Sequence, residues 1–315
     1  MANTYKVEII SEKTKDKIVE EILKNEQLYE RKAALHGTCL KFFTNDHEFK
    51  DMWEDNFEPM FDWIRPHGRL FAISGKNFRV MYEPKSKTAI VQGCDYYGWV
   101  KSIALGIVAD FLEDFTSEHR RHSVHGSFID SKGQGIAMIG PSGSGKTTLT
   151  YGLLLDKSFS FVTDDWFFVR FAANDSLVYS SEKNSYIRGD LADAWPVYSP
   201  KLKGIKQDNR QRSIVDVKKL IGQDRIRHES NLVATVLLTR DKSLMPFRKL
   251  NAKEAIEFML KNNFCNPHQL VKNKEKLDKR KKFFSELFRR APVYLLNTIE
   301  TPAESMQRIK DIWNK

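Results

Sequence analysis

The residues Gly140-Pro141-Ser142-Gly143-Ser144-Gly145-Lys146-Thr147 constrain this chain more than any others, because they spell a complete phosphate-binding loop, G-x-x-x-x-G-K-[ST]. The apolar run Ile136-Ala137-Met138-Ile139 precedes them as a buried strand should, and Thr148 to Leu155 follow as a helix should. Glycines let the backbone wrap a phosphate with its N–H groups turned inward, and the helix N-terminus adds partial positive charge. Gly140, Ser142, Gly143, Ser144, Gly145, Lys146, Thr147 and Thr148 are therefore the expected nucleotide-binding residues. Lys146 reaches the β- and γ-phosphates, and the Thr147 hydroxyl is an expected Mg²⁺ ligand.

Composition sets the class of molecule around this loop. The chain has 315 residues, 41% hydrophobic and 29% charged, which is the profile of a water-soluble globular protein. No apolar run reaches the length of a membrane span, and Met1 to Glu8 lack a signal-peptide core, so no membrane partner and a cytoplasmic location are expected. Cys39, Cys94 and Cys265 lie far apart with no C-x-x-C pair, which speaks against a disulfide framework or a cysteine-based metal site. The net charge of +10 is concentrated in residues 272–290, while residues 46–62 are acidic. A solvated helix face accounts for the basic run; opposed patches also suit contacts between copies in a homo-oligomer, and a basic run suits nucleic acid.

Periodicity organises the rest. Residues 13–35 read as an amphipathic helix with Ile18, Ile22, Leu23 and Leu28 on its apolar side, and residues 46–61 as a second helix with a stripe of Phe49, Trp53, Phe57 and Phe61. Runs at 69–73, 78–82 and 88–91 read as an antiparallel meander, and 98–115 as a helix. Strands are expected at 124–130 and 136–139, joined by a turn, then at 160–162, 166–171, 177–179, 233–238 and 292–296. Asn251 with Glu254 caps a helix at 252–263, and Thr301, Pro302 and Glu304 start the last one. The chain divides into an α+β region at 1–118 and a nucleotide-binding domain at 119–315 with a helical C-terminal part.

Asp164 and Asp165 follow a short strand, where a Mg²⁺-binding carboxylate sits in this class of site. Two adjacent carboxylates suggest divided labour, one holding metal and one taking a proton from an incoming hydroxyl. If the strands at 124 and 136 pair, His125 falls on the loop's edge, within reach of a phosphate or an aspartate. His119, His122 and His125 are spaced for a helix, yet Ser123 onward reads as extended, so no zinc site is expected. Arg210 and Arg212 lie in a polar stretch; either closes on the γ-phosphate or is simply a solvated loop charge.

His125-Gly126 before a hairpin, the loop at 140–147, and Val162-Thr163-Asp164-Asp165 together resemble the core of the HPr kinase/phosphorylase family, which shares its nucleotide-binding core with phosphoenolpyruvate carboxykinases. The resemblance covers residues 98–171 and implies an α/β fold with mixed sheets and ATP with Mg²⁺ as cofactors. It implies that Lys146 binds phosphate, Thr147 and Asp165 serve the metal, Asp164 is the base on the acceptor, and His125 supports the site. Tyr186-Ile187-Arg188-Gly189 is similar to the family's Glu-x-Arg-Gly motif: Arg188 and Gly189 are kept, tyrosine stands in the glutamate's place, and Glu182 is the nearby candidate substitute. The family's C-terminal Pro-Gly-Arg-Asn segment is replaced by a charged helical region at 252–290. The expected activity is phosphoryl transfer from ATP to an alcohol, with a small molecule favoured over a protein serine. A nucleic-acid or nucleotide kinase, a non-catalytic ATP-gated module and a carboxykinase are the competing readings.

Overall fold

The computed structural model describes residues 5–313; residues 1–4, part of the segment read as lacking a signal peptide, and residues 314–315 lie outside it. Two compact units divide the chain: Met1–Arg120 with Asp208–Arg210 and Pro267–Lys276, and Arg121–Gln207 with Gln211–Asn266 and Leu277–Lys315. The sequence boundary at 118/119 makes no provision for the two later stretches that return to the first unit.

The first unit runs β1 (Val7–Ile9), α1 (Glu12–Asn25), β2 (Tyr29–Leu35), β3 (Thr38–Thr44), α2 (His47–Asn56), β4 (Glu58–Pro59), β5 (Gly68–Ile73), β6 (Arg79–Glu83), β7 (Thr88–Gln92), α3 (Tyr97–Asp114) and α4 (Thr116–His119). Its seven-stranded sheet has the order β1-β6-β7-β5-β3-β2-β4. Three sequence expectations are corrected here. The helix read at 13–35 stops at Asn25, because His36 and Gly37, both at positive φ, close a tight hairpin between β2 and β3. The helix read at 46–61 stops at Asn56, because the residue before Pro59 is biased to extended backbone; Phe49, Trp53 and Phe57 are buried, but Phe61 is 65% exposed. The meander is not one: β6 and β7 are antiparallel, but β7 inserts beside β5 and runs parallel to it.

The second unit runs β8 (His122–His125), β9 (Ser127–Ser131), β10 (Gln134–Ile139), α5 (Lys146–Leu153), β11 (Ser160–Thr163), β12 (Trp166–Ala172), β13 (Asp175–Ser180), β14 (Asn184–Arg188), α6 (Asp190–Ala194), α7 (Ser199–Leu202), β15 (Arg212–Asp216), α8 (Val217–Ile221), β16 (Glu229–Thr239), β17 (Phe247–Leu250), α9 (Ala252–Lys261), α10 (Lys274–Arg290, its first turn in the first unit), β18 (Val293–Asn297) and α11 (Pro302–Trp313). The fold is mixed α/β. Its nine-stranded sheet has the order β11-β9-β10-β16-β13-β12-β8, with β18 on β16 and β17 on β18; β14 and β15 form a separate ribbon. The charged region read as one helical run at 252–290 is broken between α9 and α10.

Alternation along β10 builds two cores. Ala137 and Ile139 face a layer that includes Phe283, Phe284, Leu287 and Phe288 of α10, while Ile136 and Met138 face Leu149 and Leu153 of α5 and Ile309 of α11. Each buried phenylalanine contributes about 1.5–3 kcal/mol, so those of α10 are core residues and not a nucleic-acid platform. The capping boxes close as the sequence predicts: Asn251 with Glu254 on α9, Thr301 with Glu304 on α11. Among the described residues no helix is long and apolar enough to cross a membrane, and Cys39, Cys94 and Cys265 are free.

One bend positions the site. β8 and β9 are two halves of a single strand broken only at Gly126, and β11 and β12 are two halves broken at Asp164-Asp165. The same antiparallel ladder runs through both breaks, with Phe128 opposite Thr163, Gly126 N donating to Asp165 O at 2.9 Å, and His125 opposite Trp166. The sheet therefore folds over at this corner. A side chain on Gly126 would lie 2.8 Å from Met138 O and 3.1 Å from Phe167 Cε1, which is why the corner needs glycine.

Candidate active site

The phosphate loop leaves β10 at the sheet edge and enters α5 at Lys146. Gly143 and Gly145 adopt left-handed backbone at φ 80° and 95°, which L side chains avoid. A Cβ on Gly140 would stand 2.5 Å from Ser144 Oγ and 2.8 Å from Leu238 O, so the loop can close only with glycine there. No side chain caps the first turn of α5, whose amides are therefore open to an anion. Ser144 Oγ is buried without a hydrogen-bond partner. A cradle with an uncapped helix start and an orphaned buried hydroxyl fits a phosphate group. Ser142 and Gly143 are exposed at its rim, Thr147 and Thr148 are half-buried, and Thr148 O accepts from Trp195 Nε1 at 2.8 Å.

Lys146 is 9% exposed and its ammonium donates to Gly140 O at 2.8 Å and Pro141 O at 3.2 Å. Burial pulls its pKa down, and the negative charges of Asp165 and Asp164 oppose that shift. The structure thus brings the loop lysine and the two strand-end carboxylates into one electrostatic neighbourhood. The two carboxyls differ in access: Asp164 is 8% exposed, whereas the Asp165 side chain is 42% exposed. Asp164 also bears on Tyr151, a fully buried residue of α5. Burial raises that phenol's pKa far above its usual value, and the Asp164 charge adds to the shift.

His125 sits where the hairpin argument puts it. Its Nδ1 is 2.7 Å from Cys265 O, and its Nε2 is 3.3 Å from Asp165 Oδ1. Cys265 O can only accept, so Nδ1 carries a proton, and Nε2 donates to Asp165 Oδ1 when the ring carries its second proton. Cys265 O is delivered by three successive left-handed residues, Asn263, Phe264 and Cys265, at φ 49°, 54° and 54°. Each costs about 1–2 kcal/mol in backbone strain, and such strain persists where surrounding packing enforces it. Phe264 and Cys265 are both buried in the core.

The arginines divide. Arg188 and Arg212 lie directly across the β14–β15 ribbon, with the Arg212 guanidinium 5.1 Å from the Tyr186 ring. Arg210 instead belongs to the first unit, with its guanidinium 4.4 Å from both the Tyr96 and the Trp99 rings. Glu182 is half-buried in the turn before β14. Among the described residues no three His, Cys, Asp or Glu side chains converge as a metal cluster. Thr147 and Asp165 are hard oxygen donors of the kind Mg²⁺ takes one or two at a time beside phosphate oxygens. Two residues escape a motif reading. Thr298 Oγ1 lies 3.0 Å from Ser144 O, and Cys265 acts through its carbonyl; neither has a local sequence signal, since both depend on long-range contacts.

No family model matches the chain. An 84-residue segment is 33% identical to an HPr kinase/phosphorylase of Chlorobium limicola, covering 27% of this chain and 24% of that protein. That match bears out the resemblance to HPr kinase-like proteins drawn from the motifs. The chain thus spans about a quarter of the length of the curated relative it matches. The HPr(Ser) kinase/phosphatase of Coxiella burnetii is a solved structure similar over 61% of this chain and 90% of its own, at 14% identity and a TM-score of 0.36.

Proposed function

We propose that this chain is an ATP- and Mg²⁺-dependent kinase that transfers the γ-phosphate to a hydroxyl acceptor. The convergence of Lys146 with Asp164 and Asp165 at one sheet edge carries the reading. Phosphoryl transfer asks for a phosphate cradle, charge neutralisation and a group to receive the acceptor's proton, and little else. A switch that only binds nucleotide has no use for a second carboxylate beside the first.

In this reading Lys146 leaves its two loop carbonyls for the phosphates, where its charge offsets that of the transferring group. Thr147 and Asp165 would hold Mg²⁺, which supplies Lewis-acid charge neutralisation when bound. His125 positions Asp165 through Nε2 and is itself anchored on Cys265 O. Asp164 takes the acceptor's proton; its burial near Lys146 and Tyr151 keeps water from competing. The greater exposure of Asp165 favours a second reading in which the two carboxylates exchange roles. The curated relative's name specifies HPr as the substrate of that relative; here a small alcohol remains the favoured acceptor, in a cytoplasmic setting consistent with three free cysteines.

Transfer of label from [γ-³²P]ATP to panels of small alcohols and of serine peptides tests the proposal. Activity with either panel that disappears in Lys146→Ala supports it. Activity that persists in both Asp164→Asn and Asp165→Asn would sink it. Loss in one of the two, with the other showing mainly a raised Mg²⁺ requirement, assigns base and metal ligand.

A further inference from the structure

Four strands end on one edge of the second unit's sheet, because β10, β16 and β18 are mutually parallel and β11 is antiparallel to the intervening β9. Their last residues are Thr163, Ile139, Thr239 and Asn297, in the spatial order β11, β10, β16, β18. Open α/β sheets bind ligands at such carboxyl ends. The phosphate loop leaves the middle of this edge and the carboxylate pair leaves one flank. The opposite flank, after β16 and β18, begins about 5 Å from the loop's own strand and has no role in the reaction so far.

A rigid loop is built on that flank. Asn297, fully buried, donates from Nδ2 to Asp241 O at 2.6 Å and Leu244 O at 3.0 Å. It accepts from Asp241 N at 3.0 Å and donates its own N–H to Pro246 O at 2.8 Å. The next residue joins this loop's root to the phosphate loop: Thr298 N donates to Thr239 O at 2.9 Å, and Thr298 Oγ1 lies 3.0 Å from Ser144 O. What this buried polar scaffold holds outward is apolar. Met245 is 68% exposed, Leu244 is 40% exposed, and Ile299, just past the brace, is 43% exposed. Core packing does not explain why so many hydrogen bonds are invested in presenting two apolar side chains to water.

We propose that Leu244, Met245 and Ile299 form the nucleoside platform of this site, against which the base of a nucleoside triphosphate lies when its phosphates occupy the loop. This rests on the kinase reading for its phosphate site and extends it to the rest of the donor. The carbonyls of Asp241, Leu244 and Pro246 are already taken by Asn297, so the platform meets the base by its face and not by its hydrogen-bonding edge. The ligand class is therefore a nucleoside triphosphate with little distinction between adenine and guanine. The acceptor enters from the opposite flank, beside Asp164.

Calorimetric titration of the full chain with ATP and with tripolyphosphate, both with Mg²⁺, separates the two halves of the ligand. In the double variant Leu244→Ser, Met245→Ser, the Kd for ATP rises about tenfold, while that for tripolyphosphate is unchanged; Ile299→Ser shows the same selective loss. All three side chains are exposed, so an unchanged melting midpoint accompanies the result. An ATP affinity that does not move, or that falls in step with tripolyphosphate, overturns the platform. Failure of tripolyphosphate to bind the wild-type chain removes the phosphate-loop reading itself, and the platform with it.

Discussion

Replacing Gly126 by alanine tests the corner on which the site is built. The added carbon would stand 2.8 Å from Met138 O, 3.1 Å from Phe167 Cε1 and 3.3 Å from Ile139 Cγ1, all of them in buried strands. Gly126 is not among the glycines at positive φ, so the cost is steric and not conformational. Overpacking of this kind costs about 1–3 kcal/mol. For a chain of this length a loss of about 2 kcal/mol lowers the melting midpoint by about 3 °C. Gly133 offers the opposite case: its Cβ would meet nothing within 4 Å, but φ is 83°, so Gly133→Ala costs about 1 kcal/mol through backbone strain alone. Gly189 is open and at φ −60°, so Gly189→Ala is neutral or stabilises by up to about 1 kcal/mol. Thermal melts followed by circular dichroism should rank Gly126→Ala lowest, then Gly133→Ala, then wild type, with Gly189→Ala level or above. Because Gly126 N–H is bonded to Asp165 O, Gly126→Ala should also reduce phosphoryl transfer, by about a hundredfold if the carboxylate moves by about 1 Å. A Gly126→Ala protein that melts with wild type and transfers phosphate normally would refute the bent-ladder account.

Other outcomes follow from single contacts. Thr298→Val removes the hydroxyl that braces Ser144 O and should weaken ATP and tripolyphosphate binding alike, by about fivefold to tenfold, in the same titration. His122, stacked on Phe283 at 4.3 Å, has its pKa lowered by burial to about 4. The unfolded chain, near 6.5, then binds the proton first, so stability is lost as pH falls from about 6.5 to about 4, by up to about 3 kcal/mol. His122→Phe should flatten that part of a denaturation-versus-pH curve. In the first unit burial alone would raise the Asp114 pKa, but hydrogen bonds from Lys276 and Lys87 hold it at about 2. That depressed value supports the fold above about pH 4 and ceases to as pH falls toward 2, a loss that Asp114→Asn should remove from the acid limb of the curve. ATP and GTP should bind within about threefold of each other, since the loop carbonyls of Asp241 and Leu244 turn inward to Asn297 and the side chains it presents outward are apolar.

Much of the site was legible because its signals are local. Glycine spacing, a strand before and a helix after make Gly140 to Thr147 readable in one dimension, and the same short-range chemistry places the Asn251 and Thr301 caps. His125 was reached by counting along an expected hairpin, and the register of β9 with β10 is the one that counting needs. Periodicity failed where a second signal competed with it. Phe61 keeps the four-residue stripe of α2 in sequence, yet Pro59 turns the chain out before it. Residues 29–35 carry helix-compatible composition, yet pair as β2 through a His-Gly turn.

Sequence alone determined that a glycine-rich loop joins a buried strand to a helix, that a lysine and a hydroxyl stand at that helix start, and that two carboxylates stand at a nearby strand end. Tertiary structure decided the rest. It bent one ladder at Gly126 and Asp164-Asp165, set Cys265 O under His125, braced Ser144 with Thr298, and moved Arg210 onto Tyr96 and Trp99. The physical reason is range: loop and cap chemistry is settled by residues a few positions apart, whereas partners such as His125 and Cys265 meet only after the sheet has closed over its core.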